Sequence, residues 1–197
     1  MPDIQPLTHN AAALEFLLTR RSRPAKTLTT PVPSREELLP ILTAAARSPD
    51  HGKLEPWRFI VLEKPALTRL AMLAEARGQA MGLDEVQVQK GVDQFANGNL
   101  AIAVVEIIKP NEKVPAVEIT YSAGAACLQL LNAALASGWG ANWLSGWASH
   151  DRDFVAQGLG LADDERIAGL IHIGTEKTVP PERPRPDLEA VTTWVSE

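Results

Sequence analysis

Cysteine is nearly absent. Cys127 stands alone in 197 residues, so no disulfide can close within one chain. It sits among alanines and leucines, where a buried and inert thiol is expected. The four histidines, His9, His51, His150 and His172, are scattered and show no ligand spacing with cysteine or carboxylate, so no metal site is indicated. An excess of positive charge is missing too: 19 Lys and Arg face 24 Asp and Glu, a net charge of −5. That excludes a nucleic acid or an anionic membrane as the expected partner. No apolar run reads as a membrane span and no signal-peptide pattern is seen, so a cytoplasmic protein is expected. A strand followed by Gly-x-Gly-x-x-Gly is absent, since Gly158-Leu159-Gly160 falls at a helix end. No serine-nucleophile elbow occurs either.

What is present reads as one domain over residues 1–197 with alternating helices and strands. Residues 1–8 are a loose lead. A helix from His9 to Thr19 carries Leu14, Leu17 and Leu18 on one face, with Asn10 as its cap. Ser34 and Glu37 form a capping-box pair that opens a second helix. Trp57–Leu62 is a strand. Two helices follow, Lys64–Ala80 and Asp84–Ala96, a paired excursion suited to a mobile cover over a site. Leu100–Ile108 is a fully buried strand in which Glu106 is discordant and needs a partner. A long helix from about Pro115 to Ser137 is apolar nearly all round, which predicts a packing centre buried on several sides. Residues 139–147 form a strand and turn, Ser149 caps a short helix over Asp151–Gly158, and Arg166–Gly174 is the last strand. The order ααβααβαβαβ predicts four strands in an α+β domain.

Two stretches stand out. Residues 19–26, Thr-Arg-Arg-Ser-Arg-Pro-Ala-Lys, gather four cations and no acid just after the first helix. On an acidic protein, such a local cluster suits a small anion; a solvated basic turn would have the same composition. Residues 47–63 join a helix to a strand through a loop stiffened by Pro49 and Pro56 and bearing Arg47, His51 and Lys53. Ordinary turn chemistry also accounts for such a loop. Together the two stretches resemble the FMN-dependent nitroreductase family. In that family an Arg-Arg-Ser turn holds the flavin phosphate and a "Pro-Asp-His … Pro-Trp" loop lies at the flavin in the dimer.

The resemblance implies a mixed central β-sheet flanked by helices in an intertwined homodimer, with the C-terminal tail, residues 178–197, extending to the partner subunit. It implies FMN as cofactor, NAD(P)H as hydride donor, and a nitroaromatic, quinone or related compound as acceptor. A non-catalytic flavin- or anion-binding protein with the same pocket is the alternative. Arg20, Arg21 and Ser22 are then the phosphate clamp, with Arg183 or Arg185 of the Pro-rich tail as a second contact. Arg47 and His51 match the family's "Arg-x-Pro-Asp-His" positions, His51 reaching the flavin across the interface. Donors at the pyrimidine edge of the ring stabilise the charge that grows there on reduction. Trp143, Leu144 and Ser145 match a segment lining the flavin, although tryptophans beside a buried helix are commonly core. Asn142 and Ser145 carry polar atoms that core packing does not require. No protein residue is expected to act as acid or base in the first half-reaction, since the flavin carries the hydride chemistry.

Overall fold

The computed structural model describes residue 4 and residues 6–197, so most of the predicted N-terminal lead lies outside the described residues. Its helices are α1 (Ala11–Thr19), α2 (Arg35–Ala45), α3 (Lys64–Ala80), α4 (Glu85–Ala96), α5 (Ala116–Ala136), α6 (Trp147–His150), α7 (Arg152–Leu159) and α8 (Leu188–Val191). Its strands are β1 (Leu28–Thr29), β2 (Trp57–Glu63), β3 (Leu100–Ile107), β4 (Gly140–Leu144) and β5 (Glu165–Glu176).

Side-chain caps fix the helix starts. Asn10 accepts from the Ala13 amide, and Ser34 and Asp84 form reciprocal capping boxes with Glu37 and Gln87. Ser149 does not cap the helix that follows it. Asp151 does so, accepting from the Phe154 amide, while Ser149 is buried in the extra short helix α6. A carboxylate at that position outcompetes the hydroxyl because it also favours the positive end of the helix. Strand β1 has only two residues, too few for any periodic signal, and makes five strands among the described residues rather than four.

Strand β5 is the common neighbour. It pairs with β1, β3 and β4, and β2 pairs with the far side of β3. Every one of these pairings is antiparallel, so the sheet formed by the described residues is not the mixed sheet expected. Strand β2 is therefore an open edge.

Both faces of the sheet are covered, which is why β3 reads as a continuous apolar run. Ala101, Ala103 and Val105 face a cluster with Leu67, Leu70 and Phe154, from α3 and α7. Leu100, Ile102 and Val104 face Leu38, Ile41, Leu130 and Leu131, from α2 and α5. Cys127 lies fully buried in this second cluster, as expected, and desolvation pushes its thiol up to about 12. By length and composition alone α5 could cross a membrane, a possibility the apolar-run reading passed over; in the fold it packs on the sheet. It is not enclosed on all sides. Val117, Tyr121 and Leu128 are exposed along one face, and α1 buries none of its residues, Leu18 being 74% exposed.

Glu106 has the partner that its burial demands. Arg166, opposite it on β5, donates from Nε and Nη2 at 2.8 Å each, and Thr120 Oγ1 donates at 2.9 Å. Removing the guanidinium leaves a carboxylate that is 3% exposed without its main partner. Arg166→Met should therefore destabilise the fold by about 2 kcal/mol. Urea denaturation of Arg166→Met against a Glu106→Gln, Arg166→Met double variant provides the check. The double variant should recover part of the loss, and equal losses would show that Glu106 is not what Arg166 holds.

Candidate functional site

The cationic stretch becomes a compact turn. The chain leaves α1 at Arg20 and is pinned to β4 by the Arg23 amide donating to the Ala141 carbonyl at 2.8 Å. Arg20 Nη2 donates to Ser22 Oγ at 2.8 Å, and Arg21 Nη1 to the Ser22 carbonyl at 3.0 Å. The tail folds back over this turn: Arg21 Nε meets the Pro181 carbonyl, and Arg185 Nη2 meets the Arg20 carbonyl, each at 3.4 Å. Four guanidinium groups thus gather here, those of Arg20, Arg21, Arg23 and Arg185. Burial, then the charges of Arg185, Arg21 and Arg23, lower the pKa of Arg20. Two acids answer part of that charge, Glu176 on Arg23 and Glu182 on Arg185. Among the described residues Arg20 Nε remains buried with no partner. A cavity of about 310 Å³ opens beside Arg20, Arg21 and Arg23, against Leu135 and Gly138 at the end of α5. Arg183 is not brought into this group; its side chain is exposed and makes no hydrogen bond among the described residues.

Directly after the turn, Pro24, Ala25 and Lys26 form one wall of a larger cavity of about 750 Å³. Asn142, Leu144 and Ser145 from β4 form a second, Lys90 and Gln94 from α4 a third, and His172 of β5 closes the floor. Helix α4, one of the pair expected to form a mobile cover, thus contributes to the wall of this space. Ser145 Oγ is hydrogen-bonded to His150 Nε2 at 3.1 Å. Trp143 alternates to the other side of the sheet, where its indole lies over Gly169 in the place a Cβ would take. It is not part of the cavity wall.

The loop with Arg47, His51 and Lys53 is elsewhere. Ser122 of α5 donates to the Pro49 carbonyl at 2.8 Å and accepts from Trp57 Nε1 at 3.1 Å. His51 Nδ1 lies 2.6 Å from Glu118 Oε2, in the first turn of α5. Arg47 and Lys53 are exposed. The loop is thus fastened at the start of α5, and the arginine turn sits at its end. From Glu118 to Leu135 the helix rises about 25 Å at 1.5 Å per residue, longer than an FMN molecule. Within one protomer the two stretches do not meet.

His172 and Gln94 were not identified as site residues from the sequence. A signal existed for the first: it is the lone polar residue in the run Ile171-His172-Ile173, as Glu106 is in β3. Gln94 carries no such mark, because polar residues are ordinary on a helix with one buried side.

Residues 17–175 match the model of the nitroreductase family. The chain is 36% identical over 163 residues to "Putative NAD(P)H nitroreductase YdjA" of Escherichia coli K12, covering 83% of this chain and 87% of that one. Its fold is similar to a nitroreductase-like family protein from Bacillus cereus, with a TM-score of 0.77 at 21% identity over 96% of this chain and 99% of the other. It is also similar to a nitroreductase with bound FMN from Bacteroides fragilis, with a TM-score of 0.73 at 18% identity over 95% and 100% of the two chains.

The His51 loop holds backbone strain. Lys53 and Glu55 have φ of 55° and 48°, left-handed values that disfavour any side chain. Neither is glycine, and Lys109 Nζ holds the strained segment by donating to the Leu54 and Glu55 carbonyls at 2.5 and 3.1 Å. Lys53→Gly should stabilise the protein by about 1 kcal/mol, the relief of the left-handed strain less the entropy glycine adds to the unfolded chain. A urea midpoint that falls instead would show that the Lys53 side chain itself supports the loop.

Proposed function

The chain belongs to the nitroreductase family, and from that premise we propose that it is an FMN-dependent oxidoreductase taking hydride from NAD(P)H and reducing a nitroaromatic, quinone or related acceptor. One observation carries the cofactor reading: the buried, unpartnered Nε of Arg20 among four converging guanidinium groups. A phosphate dianion supplies what this turn lacks. It offers acceptor oxygens in the fork geometry that guanidinium matches, and it cancels the like-charge repulsion bearing on Arg20. Ser22 Oγ is held by Arg20 at the same place, ready to donate in turn. The residues present therefore fit FMN at its phosphate end, with Arg185 rather than Arg183 as the contact from the tail.

The larger cavity begins directly after the turn, at Pro24, and has the size of a ligand site. Leu144 gives it an apolar wall, and Ser145 a hydroxyl at the rim. When bound there, FMN supplies the two-electron hydride chemistry. The chain holds the phosphate, orients the ring and keeps water from it beneath α4. The printed name of the Escherichia coli relative supports NAD(P)H as the donor.

A homodimer completes the reading. His51 and Arg47 are about 25 Å along α5 from the arginine turn, so they reach a flavin only in a second copy. Apolar surface on three elements favours that assembly: Leu14, Leu17 and Leu18 of α1, the exposed face of α5, and the tail, where Trp194 is 91% exposed. An apolar groove of about 650 Å³ runs between α2 and the open edge β2, lined by Val32, Leu38, Leu42 and Val61. It suits the apolar residues of a partner's tail, Leu188, Val191, Trp194 and Val195.

Two experiments test these statements. Arg20→Ala should weaken FMN binding by about 1.5–3 kcal/mol and leave riboflavin, which lacks the phosphate, unchanged. Titration followed by flavin fluorescence reads both, and equal losses for the two ligands refute the phosphate assignment. Deleting residues 187–197 should lower dimer content and flavin occupancy together. A truncated protein that sediments as a monomer with full flavin absorbance would separate the site from the dimer and overturn the composite reading.

A further inference from the structure

Where the α4 wall of the larger cavity meets the wall from β4, one side chain lies between them. Trp147, two residues past Ser145, is half-buried and lines the cavity. Of α4 only Gly91 and Phe95 are buried. Phe95 anchors the C-terminal half of the helix in the core with Leu67 and Leu70. Gly91 has no side chain to anchor anything, and it rests on the Trp147 indole. A Cβ at Gly91 would come within 2.6 Å of Trp147 Nε1 and Cζ2, so the helix backbone lies as near the ring as a glycine permits.

A hydrogen bond joins the same two partners. Trp147 Nε1 donates to the Gln87 carbonyl of α4, one turn before Gly91, at 3.0 Å. A carbonyl oxygen has two lone pairs, so this bond adds to the helical one. The indole is itself fixed from the core. It meets Gly78 of α3, where a Cβ would come within 3.3 Å of Cζ2, and it packs edge-on against Phe154 with ring centroids 6.3 Å apart. Phe154 is fully buried. Glycine weakens a helix, yet α3 and α4 each carry one against the same indole. At this point the spacing between α4 and its neighbours is set by the ring and one hydrogen bond, not by side chains of α4.

We propose that Trp147 is the positioning residue that sets how far α4 stands from the wall of Leu144 and Ser145, and through that spacing the size of acceptor the cavity admits. The class it favours is a compact planar acceptor, a single-ring quinone or nitroaromatic without bulky substituents. Trp147 acts through α4 and takes no part in the chemistry. This assignment rests on the oxidoreductase reading above and deepens it by naming the substrate class of the same cavity.

The test compares two acceptors with the same reacting ring, 1,4-benzoquinone and 2,5-di-tert-butyl-1,4-benzoquinone. The full-length protein with bound flavin is reduced by dithionite without oxygen, and its reoxidation by each quinone is followed at the flavin absorbance. The wild type should be reoxidised faster by the compact quinone; the reverse order overturns the proposal. In Trp147→Ala the ratio of bulky to compact rate constants should rise about fivefold, whereas a general weakening of the fold lowers both alike. Gly91→Ala pushes the indole and α4 apart and should raise the ratio about twofold. It also decides the matter if Trp147→Ala fails to fold. Combined with Trp147→Ala, the Gly91 substitution should have no further effect, since the ring it collides with is gone. Trp147→Phe keeps a ring in the seat and should restore most of the wild-type ratio. An additive rise in the double variant, or a wild-type ratio in both single variants with flavin bound, overturns the positioning role and leaves the oxidoreductase reading intact. A purified protein that takes up no flavin, or whose reduced flavin neither quinone reoxidises, overturns that reading instead.

Discussion

Strand β5 is the constraint on which the rest of this structure depends. Its twelve residues are shared by three neighbours: β3 from Glu165 to His172, β4 from Leu170 to Gly174, and β1 at Thr175 and Glu176. A strand used on both edges and covered on both faces must be almost wholly apolar between its ends. The polar groups it does carry are therefore confined to a few places, each with a distinct task. Arg166 at its start holds buried Glu106. His172 floors the large cavity. Glu176 at its end meets Arg23 of the arginine turn. Through β4 the same strand supports the backbone carbonyl that anchors that turn. The turn and the cavity are neighbours because both are hung on one strand pair.

The anion site proposed at the arginine turn would have to be prepared by the fold itself. Gathering four guanidinium groups is unfavourable without a counter-charge, and two acids do not neutralise them all. Burial of Arg20 adds a desolvation cost on top of the repulsion. The fold tolerates this because helix α1, the Ala141 carbonyl and the returning tail each fix a piece of the turn. Fixed donors lose little entropy on binding and so bind a small dianion better than the same arginines on a mobile chain. The −5 charge of the whole chain points the same way, since it opposes extended polyanions without reaching into a site this local.

Much of the fold was legible in the sequence, and the failures have physical causes. Helices α3 and α4 and strands β2 and β3 were read within a residue or two, because their apolar patterns are long and unbroken. Strand β1 was missed because two residues carry no period, and α6 because a four-residue helix buried at Ala148 and Ser149 has no amphipathic face. The exposed side of α5 was read as buried because composition cannot tell core surface from surface awaiting a partner. At the site, the arginine turn was visible as a charge cluster, and its reading as a phosphate contact came from the family resemblance. The distance between that turn and the His51 loop was not, since it depends on which end of a 21-residue helix each one touches. Trp143, Leu144 and Ser145 are adjacent in sequence, yet strand alternation sends the first away from the cavity and the second into it.

Glu106 and His172 are the most instructive pair. Each is a single polar residue in a buried β-strand, and each violates the apolar pattern in the same way. Their sequence signals are equivalent, but their surroundings are not. Glu106 has a guanidinium and a hydroxyl from its own chain, so its violation is closed within the fold and adds only stability. His172 lines the large cavity, and its Nε2 is buried with no partner among the described residues. A buried polar group that the chain satisfies is architecture; one that it leaves open calls for a different cause. The distinction cannot be drawn from the residue or its neighbours in sequence. It is drawn by counting donors and acceptors once the fold has placed them.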